Sequence, residues 1–220
     1  GRSGTLVFVV RQETETDQEG RTVGVAKRIS IHQSLSAWEG PRPVTGGSAG
    51  ADGEPPLKAV VISPPGPDVV LPRPEAPSGQ QRYFEDAAVG MEAPPVVKGP
   101  MTTTHLVRWA AANGNYARIH WDLPFAQLRQ GLSNVVVNGS LKNQYLGQLM
   151  VNFAGEEGWF KRFYVEHRGM DYPGDTLTAF GTVTGKREQD GFGYVDCQVG
   201  LRNNRGEQTA SGWATVVLPK

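Results

Sequence analysis

The stretch GSLKNQYLGQLMVNFAG, residues 139–155, decides the fold. Its apolar residues recur at intervals of three and four, which is the spacing of an amphipathic helix. The main stripe consists of Leu141, Tyr145, Leu149 and Phe153. Leu146 and Met150 widen this stripe, and Gly155 supplies a stop signal. A helix that is apolar over so wide a surface is expected to lie at the centre of the domain.

Four candidate strands follow this helix, and turn residues separate them. Their sequences are FKRFYVEHRGM (160–170), DTLTAFGTVTGKRE (175–188), FGYVDCQVGLRN (192–203) and TASGWATVVLP (209–219). In the third, Val195, Cys197, Val199 and Leu201 alternate with polar residues, so one face is expected to be buried. A long apolar helix followed by antiparallel strands predicts an α+β fold, in which a curved sheet wraps a central helix.

The chain divides into three zones by composition. Residues 1–33 predict a β-hairpin around a turn at residues 17–20, and this hairpin is similar to the last two strands of such a sheet. We interpret it as the tail of a preceding, similar domain. Residues 34–81 are rich in proline and glycine and predict a linker, partly disordered and partly extended. Residues 82–220 form the main domain.

Composition excludes several classes of function. Lysine plus arginine and aspartate plus glutamate each total 22, and this balance gives no indication of a nucleic-acid or membrane surface. The single Cys197 excludes an internal disulfide and a cysteine-based zinc site. The chain has no apolar run of about 20 residues and no signal-peptide pattern, which favours a soluble cytoplasmic protein. Dinucleotide-binding, phosphate-loop, zinc-protease and serine-hydrolase motifs do not occur.

The stretch NGNYARIHWDLPFA, residues 113–126, is the first place where chemistry is expected. Histidine titrates near neutrality, so His120 is suited to moving protons in both directions. Asn115 offers both an amide donor and a carbonyl acceptor, which can hold a water or a substrate carbonyl. The alternative is that His120 only lines a loop, and that Arg118 and Asp122 form a solvated ion pair.

The second place is VVVNGSL, residues 135–141, at the start of the long helix. Asn138 is the expected N-cap, and the backbone amides of Gly139, Ser140 and Leu141 are expected to lack helical partners. Such donors can stabilise a carbonyl oxygen that develops enolate character. The alternative is an ordinary capped helix.

Together these residues resemble the MaoC-like hydratase/dehydratase family, which has the hotdog fold. The family motif reads G-D-x-N-P-[LIV]-H-x-D, and its matching positions here are Gly114, Ile119, His120 and Asp122. Asn115 stands in place of the usual aspartate, and Ala117 and Arg118 replace the Asn-Pro pair. The later V-x-G segment is matched by VNGSL. The chain is most similar to a subgroup with two hotdog repeats, related to mesaconyl-CoA hydratases and 3-hydroxyacyl-thioester dehydratases.

The resemblance implies reversible hydration of a 2-enoyl thioester to a 3-hydroxyacyl thioester. His120 would be the acid/base, Asn115 would position the water or hydroxyl, and the Gly139 amide would stabilise the enolate-like oxygen. The expected substrate-binding residues are Asn138, Ser140, Arg118 and Trp121. The resemblance implies no metal or redox cofactor, a coenzyme A or acyl-carrier-protein thioester as substrate, and a homodimer or a heteromer with another hotdog chain.

Two alternatives stay open within this fold. One is a thioesterase, because the hotdog fold supports both chemistries. Hotdog thioesterases usually have a carboxylate on the central helix, whereas the nearest acids here, Glu156 and Glu157, lie beyond its end. The other is a non-catalytic subunit of a heteromeric hydratase, which the asparagine at position 115 and the incomplete first repeat would explain.

Overall fold

The computed structural model describes residues 6–33 and 81–220. The first range confirms the predicted hairpin, in which β1 (Leu6–Thr16) pairs antiparallel with β2 (Thr22–Gln33). The Asp17 carboxylate closes the turn by accepting hydrogen bonds from the amides of Glu19 and Arg21. The predicted linker falls almost entirely outside the described residues.

The second range contains a five-stranded antiparallel sheet and three α-helices. In chain order the strands are β3 (Glu92–Lys98), β4 (Trp159–His167), β5 (Leu177–Gln189), β6 (Phe192–Asn203) and β7 (Gln208–Leu218). The helices are α1 (Thr103–Ala112), α2 (Leu123–Gln130) and α3 (Gly139–Ala154). The sheet order is β3-β5-β6-β7-β4, so β3 and β4 form its two edges. Short 3-10 helices lie at Phe84–Asp86 and Arg118–His120.

Helix α3 is central, as its apolar stripe predicts. Its buried apolar residues are Leu141, Leu146, Leu149, Met150, Phe153 and Ala154. The helix contacts all five strands of the sheet. The helix and the sheet approach closely at Gly181 of β5, where a Cβ would lie 3.3 Å from the side chains of Leu149 and Met150, tighter than an ordinary contact. The domain core therefore lies between α3 and one face of the sheet.

The sheet is irregular where it bends around the helix. Register shifts interrupt four strand pairs: at Ala93/Val96 in β3, Phe160/Arg162 in β4, Val183/Gly185 in β5 and Leu201/Arg202 in β6. Such bulges bend a strand and increase its local twist. The predicted alternation in β6 is confirmed, because Val195, Cys197, Val199 and Leu201 are all buried.

Strand β3 and helix α2 were not predicted from the sequence, whereas the pattern of residues 99–114 predicts a helix that begins near Thr102–Thr104, which is α1. Strand β3 contains Pro94 and Pro95, which have no backbone N–H to donate to a neighbouring strand. Proline is normally confined to sheet edges or bulges, so the sequence gives no strand signal here. Helix α2 spans only eight residues and follows the N-cap Asp122, directly after residues 114–122, which predict a loop. In the two described ranges, no helix combines the length and the apolar character needed to cross a membrane.

Candidate active site

His120 is anchored to the segment that leads into α3. The residue is 8% exposed, and its Nδ1 lies 2.9 Å from the carbonyl oxygen of Val136. In return, the Val136 amide donates to the carbonyl of Ile119 over 3.0 Å. A carbonyl can only accept, so Nδ1 carries the hydrogen and Nε2 of the neutral ring keeps its lone pair. Among the described residues, nothing hydrogen-bonds to Nε2, which leaves it available as a base.

The N-terminus of α3 begins three residues after Val136. Asn138 is the N-cap, as predicted, and its Oδ1 accepts hydrogen bonds from the Ser140 amide at 2.9 Å and the Ser140 hydroxyl at 2.6 Å. The carbonyl of Asn138 accepts from the Leu141 amide at 3.0 Å. Of the three amides expected to lack partners, only that of Gly139 lacks one in the part of the chain that the structure describes. The donor cluster is therefore reduced to a single backbone amide.

The Asn138 side chain adds a second donor at this turn. Its residue is only 2% exposed, and its Nδ2 is buried without a hydrogen-bond partner in the described ranges. Buried amide groups are normally paired, because leaving one unpaired costs about 1–3 kcal/mol. The Asn138 side-chain amide and the Gly139 backbone amide are thus two adjacent hydrogen-bond donors with no acceptor among the described residues.

Ser140 serves the architecture of this turn. Besides donating to Asn138, its hydroxyl accepts hydrogen bonds from Trp109 Nε1 at 2.9 Å and from Asn113 Nδ2 at 3.0 Å. One donor and two lone pairs are then fully used. Ser140 consequently ties α1 to α3, and its hydroxyl has no capacity left for a substrate.

The other predicted site residues lie in the loop that carries His120. Asn115 is half-buried and accepts a hydrogen bond from the Ala117 amide at 3.2 Å, which shapes the turn before the 3-10 helix. Arg118 is exposed, and its Nη2 lies 2.6 Å from Asp122 Oδ2. Its Cζ lies 4.5 Å from the ring centroid of Phe125. Trp121 is exposed and donates to the Tyr116 carbonyl at 3.3 Å. The structure thus brings His120 to the start of α3 and holds Arg118 and Trp121 in contacts within the loop.

A second histidine lies over the start of α3. A Cβ on Gly139 would be 3.4 Å from Cδ2 and Nε2 of His167, at the end of β4, and His167 Nε2 is 2.9 Å from Asn143 Oδ1. His167 is exposed on its outer side, but the packing of its ring against the protein and then the charge of Lys142 lower its pKa to about 4. His167 is therefore neutral at pH 7 and contributes no charge next to Gly139.

Three contributors to this site were not predicted as such: Trp109, Asn113 and His167. Trp109 and Asn113 lie 31 and 27 residues before Ser140, and His167 lies on a strand 28 residues after Gly139. No local spacing links them to α3. The only available signal for His167 was its place in the second half of the strand candidate at residues 160–170.

The domain of residues 81–220 has the hotdog fold that the solved MaoC-like dehydratases and (R)-hydratases share. No protein-family model and no curated protein sequence matches the chain.

Three solved structures illustrate the likeness. R-hydratase PhaJ1 from Pseudomonas aeruginosa is 18% identical, with a TM-score of 0.58 over 64% of this chain and 88% of that one. The MaoC-like dehydratase from Rhodospirillum rubrum is 20% identical, with a TM-score of 0.54 over 63% and 97%. The ChsH1–ChsH2 complex from Mycobacterium tuberculosis contains a chain that is 22% identical, with a TM-score of 0.52 over 60% and 98%. At identities this low, the structural matches show the shared fold alone.

Proposed function

We propose that this protein catalyses the reversible hydration of a 2-enoyl thioester to a 3-hydroxyacyl thioester. One observation carries the proposal: the bond from His120 to Val136 holds a histidine with a free Nε2 beside the turn where the Gly139 amide has no described partner. A proton carrier and an oxyanion donor are the two groups that this reaction needs. Solved hydratases and dehydratases of the same fold support this choice.

In the proposed reaction, His120 Nε2 takes a proton from water while the water oxygen adds to the β-carbon. The double-bond electrons move to the thioester oxygen, where the Gly139 amide stabilises the negative charge. The imidazolium then returns the proton to the α-carbon, and Asn115 holds the water for attack. The steps add one water and leave the oxidation balance unchanged, so the proposed chemistry needs no redox cofactor, and the Gly139 amide takes the charge-stabilising role that a metal has in other enzymes.

The buried Nδ2 of Asn138 is the second proposed donor to the thioester oxygen. Asn138 Oδ1 is already fixed by Ser140, which sets the orientation of the amide group. Two hydrogen-bond donors to the thioester oxygen would stabilise the enolate more than a single donor would. Both donors are already oriented before the reaction begins, so neither has to be reorganised. In this proposal Ser140 and Trp109 act by holding Asn138, without touching the substrate.

The direct test is an assay of the purified chain with a short 2-enoyl-CoA such as crotonyl-CoA. Loss of enoyl absorbance without release of free thiol is expected. Thiol release would instead indicate a thioesterase, which the lack of any aspartate or glutamate along α3 disfavours. An unchanged substrate would contradict catalysis by this chain alone and favour a non-catalytic subunit. A panel of short, branched and dicarboxylic enoyl-CoAs, together with acyl-carrier-protein thioesters, would then define the substrate.

Replacing Asn115 with aspartate should keep or raise the hydration rate. A carboxylate can accept the same hydrogen bond from the Ala117 amide, and it adds a second group able to accept a proton. Asn115→Ala, which removes both possibilities, should be slower than the wild type. Initial rates with the enoyl-CoA substrate measure both effects. Complete loss of activity in Asn115→Asp would mean that the amide donor of Asn115 is essential.

We further propose that β4 pairs with a second copy of this chain. Its outer edge is unpaired within the described residues, and two of its aromatic residues, Trp159 and Tyr164, are exposed. A free edge strand without proline can still pair with another strand. The sedimentation mass of the purified chain should therefore be that of a dimer. A monomer that becomes active only with a second hotdog protein would favour a heteromer.

A further inference from the structure

A buried ion pair joins the first turn of α3, which carries the candidate oxyanion donor Gly139, to the loop after β4. Lys142, in the first turn of α3, and Asp171, in the loop after β4, are 2% and 0% exposed. Lys142 Nζ lies 2.7 Å from Asp171 Oδ2 and also donates to the Gly169 carbonyl at 3.1 Å. None of the proposed chemical steps uses either group.

A lysine is an unfavourable choice at this place on simple electrostatic grounds. The N-terminus of a helix carries partial positive charge, so a cation in the first turn is repelled. A buried ion pair is also no more stabilising, as a rule, than well-packed apolar residues of similar size. The stability of the fold therefore gives little reason for a Lys142–Asp171 pair at this place. A role in fixing the position of the first turn of α3 explains the pair better.

Asp171 holds the turn from both sides. Its backbone carbonyl accepts a hydrogen bond from the Val137 amide at 2.8 Å, and its carboxylate binds Lys142. Asn138 and Gly139 lie between these two points along the chain. Asp171 thus fixes the residue before the N-cap and the residue three positions after Gly139.

The sheet in turn fixes the carboxylate of Asp171. Thr209, at the start of β7, donates its hydroxyl to Oδ2 at 2.7 Å, and Asn203, at the end of β6, donates to Oδ1 at 3.1 Å. Thr209 is 1% exposed and Asn203 is 4% exposed. A chain of buried polar contacts therefore runs from two central strands through Asp171 to the start of α3.

We propose that Asp171 is a positioning residue that sets the location of the Gly139 amide, with Thr209 and Asn203 holding its carboxylate. This inference rests on the proposed hydratase function. A shift of the amide relative to the thioester oxygen lowers the rate of the chemical step, while substrate contacts made elsewhere are kept. Disturbing this set of contacts should consequently reduce kcat and leave KM almost unchanged.

Thr209→Val is the main test, because it removes one hydroxyl and keeps the volume. We expect kcat to fall about tenfold with KM within about twofold, since small misplacements of reacting groups have effects of this order or larger. Thr209→Ser, which restores the hydroxyl, should recover kcat. Asn203→Ala removes the other support of the carboxylate and should change kcat in the same direction.

Thr215→Val is the matched control. Thr215 lies on the same strand, is 3% exposed, and donates to Asp196 Oδ1 at 2.6 Å, away from α3. Its kcat should equal that of the wild type. Wild-type kcat in Thr209→Val, or an equal loss in Thr215→Val, would overturn the positioning role.

The Gly139 amide resonance in nitrogen–proton correlation spectra provides a second measurement that needs no turnover. It should shift in Thr209→Val and stay in place in Thr215→Val. If the wild type hydrates no enoyl thioester, the proposed function fails, but this resonance still decides whether Asp171 positions the turn. An unmoved Gly139 resonance in Thr209→Val would overturn the inference in either case.

Discussion

Replacing His120 with alanine is expected to lower kcat/KM for enoyl-thioester hydration by about 10²- to 10⁴-fold, the usual contribution of a positioned general acid–base. The loss follows because no other titrating group is proposed to carry the proton. Alanine also removes the bond to Val136, so His120→Asn should be measured beside it. An asparagine amide can still donate to the Val136 carbonyl, but it cannot act as a base. Initial rates from enoyl absorbance measure both variants.

A matched histidine control is His105→Gln. His105 lies at the third position of α1, where its Nδ1 accepts a hydrogen bond from the Thr102 amide at 3.0 Å in a capping box. Glutamine is a usual residue at that position of a capping box, so the helix start should be kept. Its activity should match the wild type. Substantial hydration by His120→Asn would disprove the proposed proton carrier.

Replacing Gly139 with proline should lower kcat by about 10²- to 10³-fold, the effect of removing one oxyanion donor. Gly139 is the first residue of α3, and proline is favoured at that position, where a missing N–H breaks no helical hydrogen bond. The preceding Asn138 is already extended, with φ −63° and ψ 130°, as a residue before proline prefers. The variant therefore removes the candidate donor and leaves the helix in place.

Gly139→Ala provides the comparison, because it keeps the amide and adds a carbon. That carbon would meet the His167 ring at 3.4 Å, which is ordinary contact. Alanine should therefore keep most of the activity, and thermal melting should show both variants folded. Equal rates in Gly139→Pro and Gly139→Ala would show that the Gly139 amide does not stabilise the transition state.

The central helix and the four strands after it could be predicted because their signals are local. The stripe of residues 139–155 and the alternation of residues 192–203 each specify a period and a buried face. Asn138 as an N-cap follows from the same kind of pattern, since capping depends on residues two or three apart. Helix α3 and strand β6 accordingly begin and end close to the predicted residues.

Contacts across the fold could not be predicted in this way. Asp171 lies in DYPGD, residues 171–175, which indicates only a turn, and its partner Lys142 looks like a polar interruption of an apolar helix. The unpaired donors at the start of α3 also depended on tertiary structure. Asn138 takes up the Ser140 and Leu141 amides, and only the Gly139 amide is left. Such pairings depend on distances between elements that no sequence interval encodes.

The two edges of the sheet differ in a way that limits growth of an assembly. Both edge strands contain a register shift, but only β3 carries prolines, Pro94 and Pro95, which have no N–H to donate, so its outer side is a poor template for another strand. Strand β4 has no proline and presents Trp159 beside its open edge. A sheet with only one edge strand able to pair can join a single neighbouring sheet, and no free pairing edge then remains. For this domain, association through strands should therefore stop at a pair and should not continue into filaments.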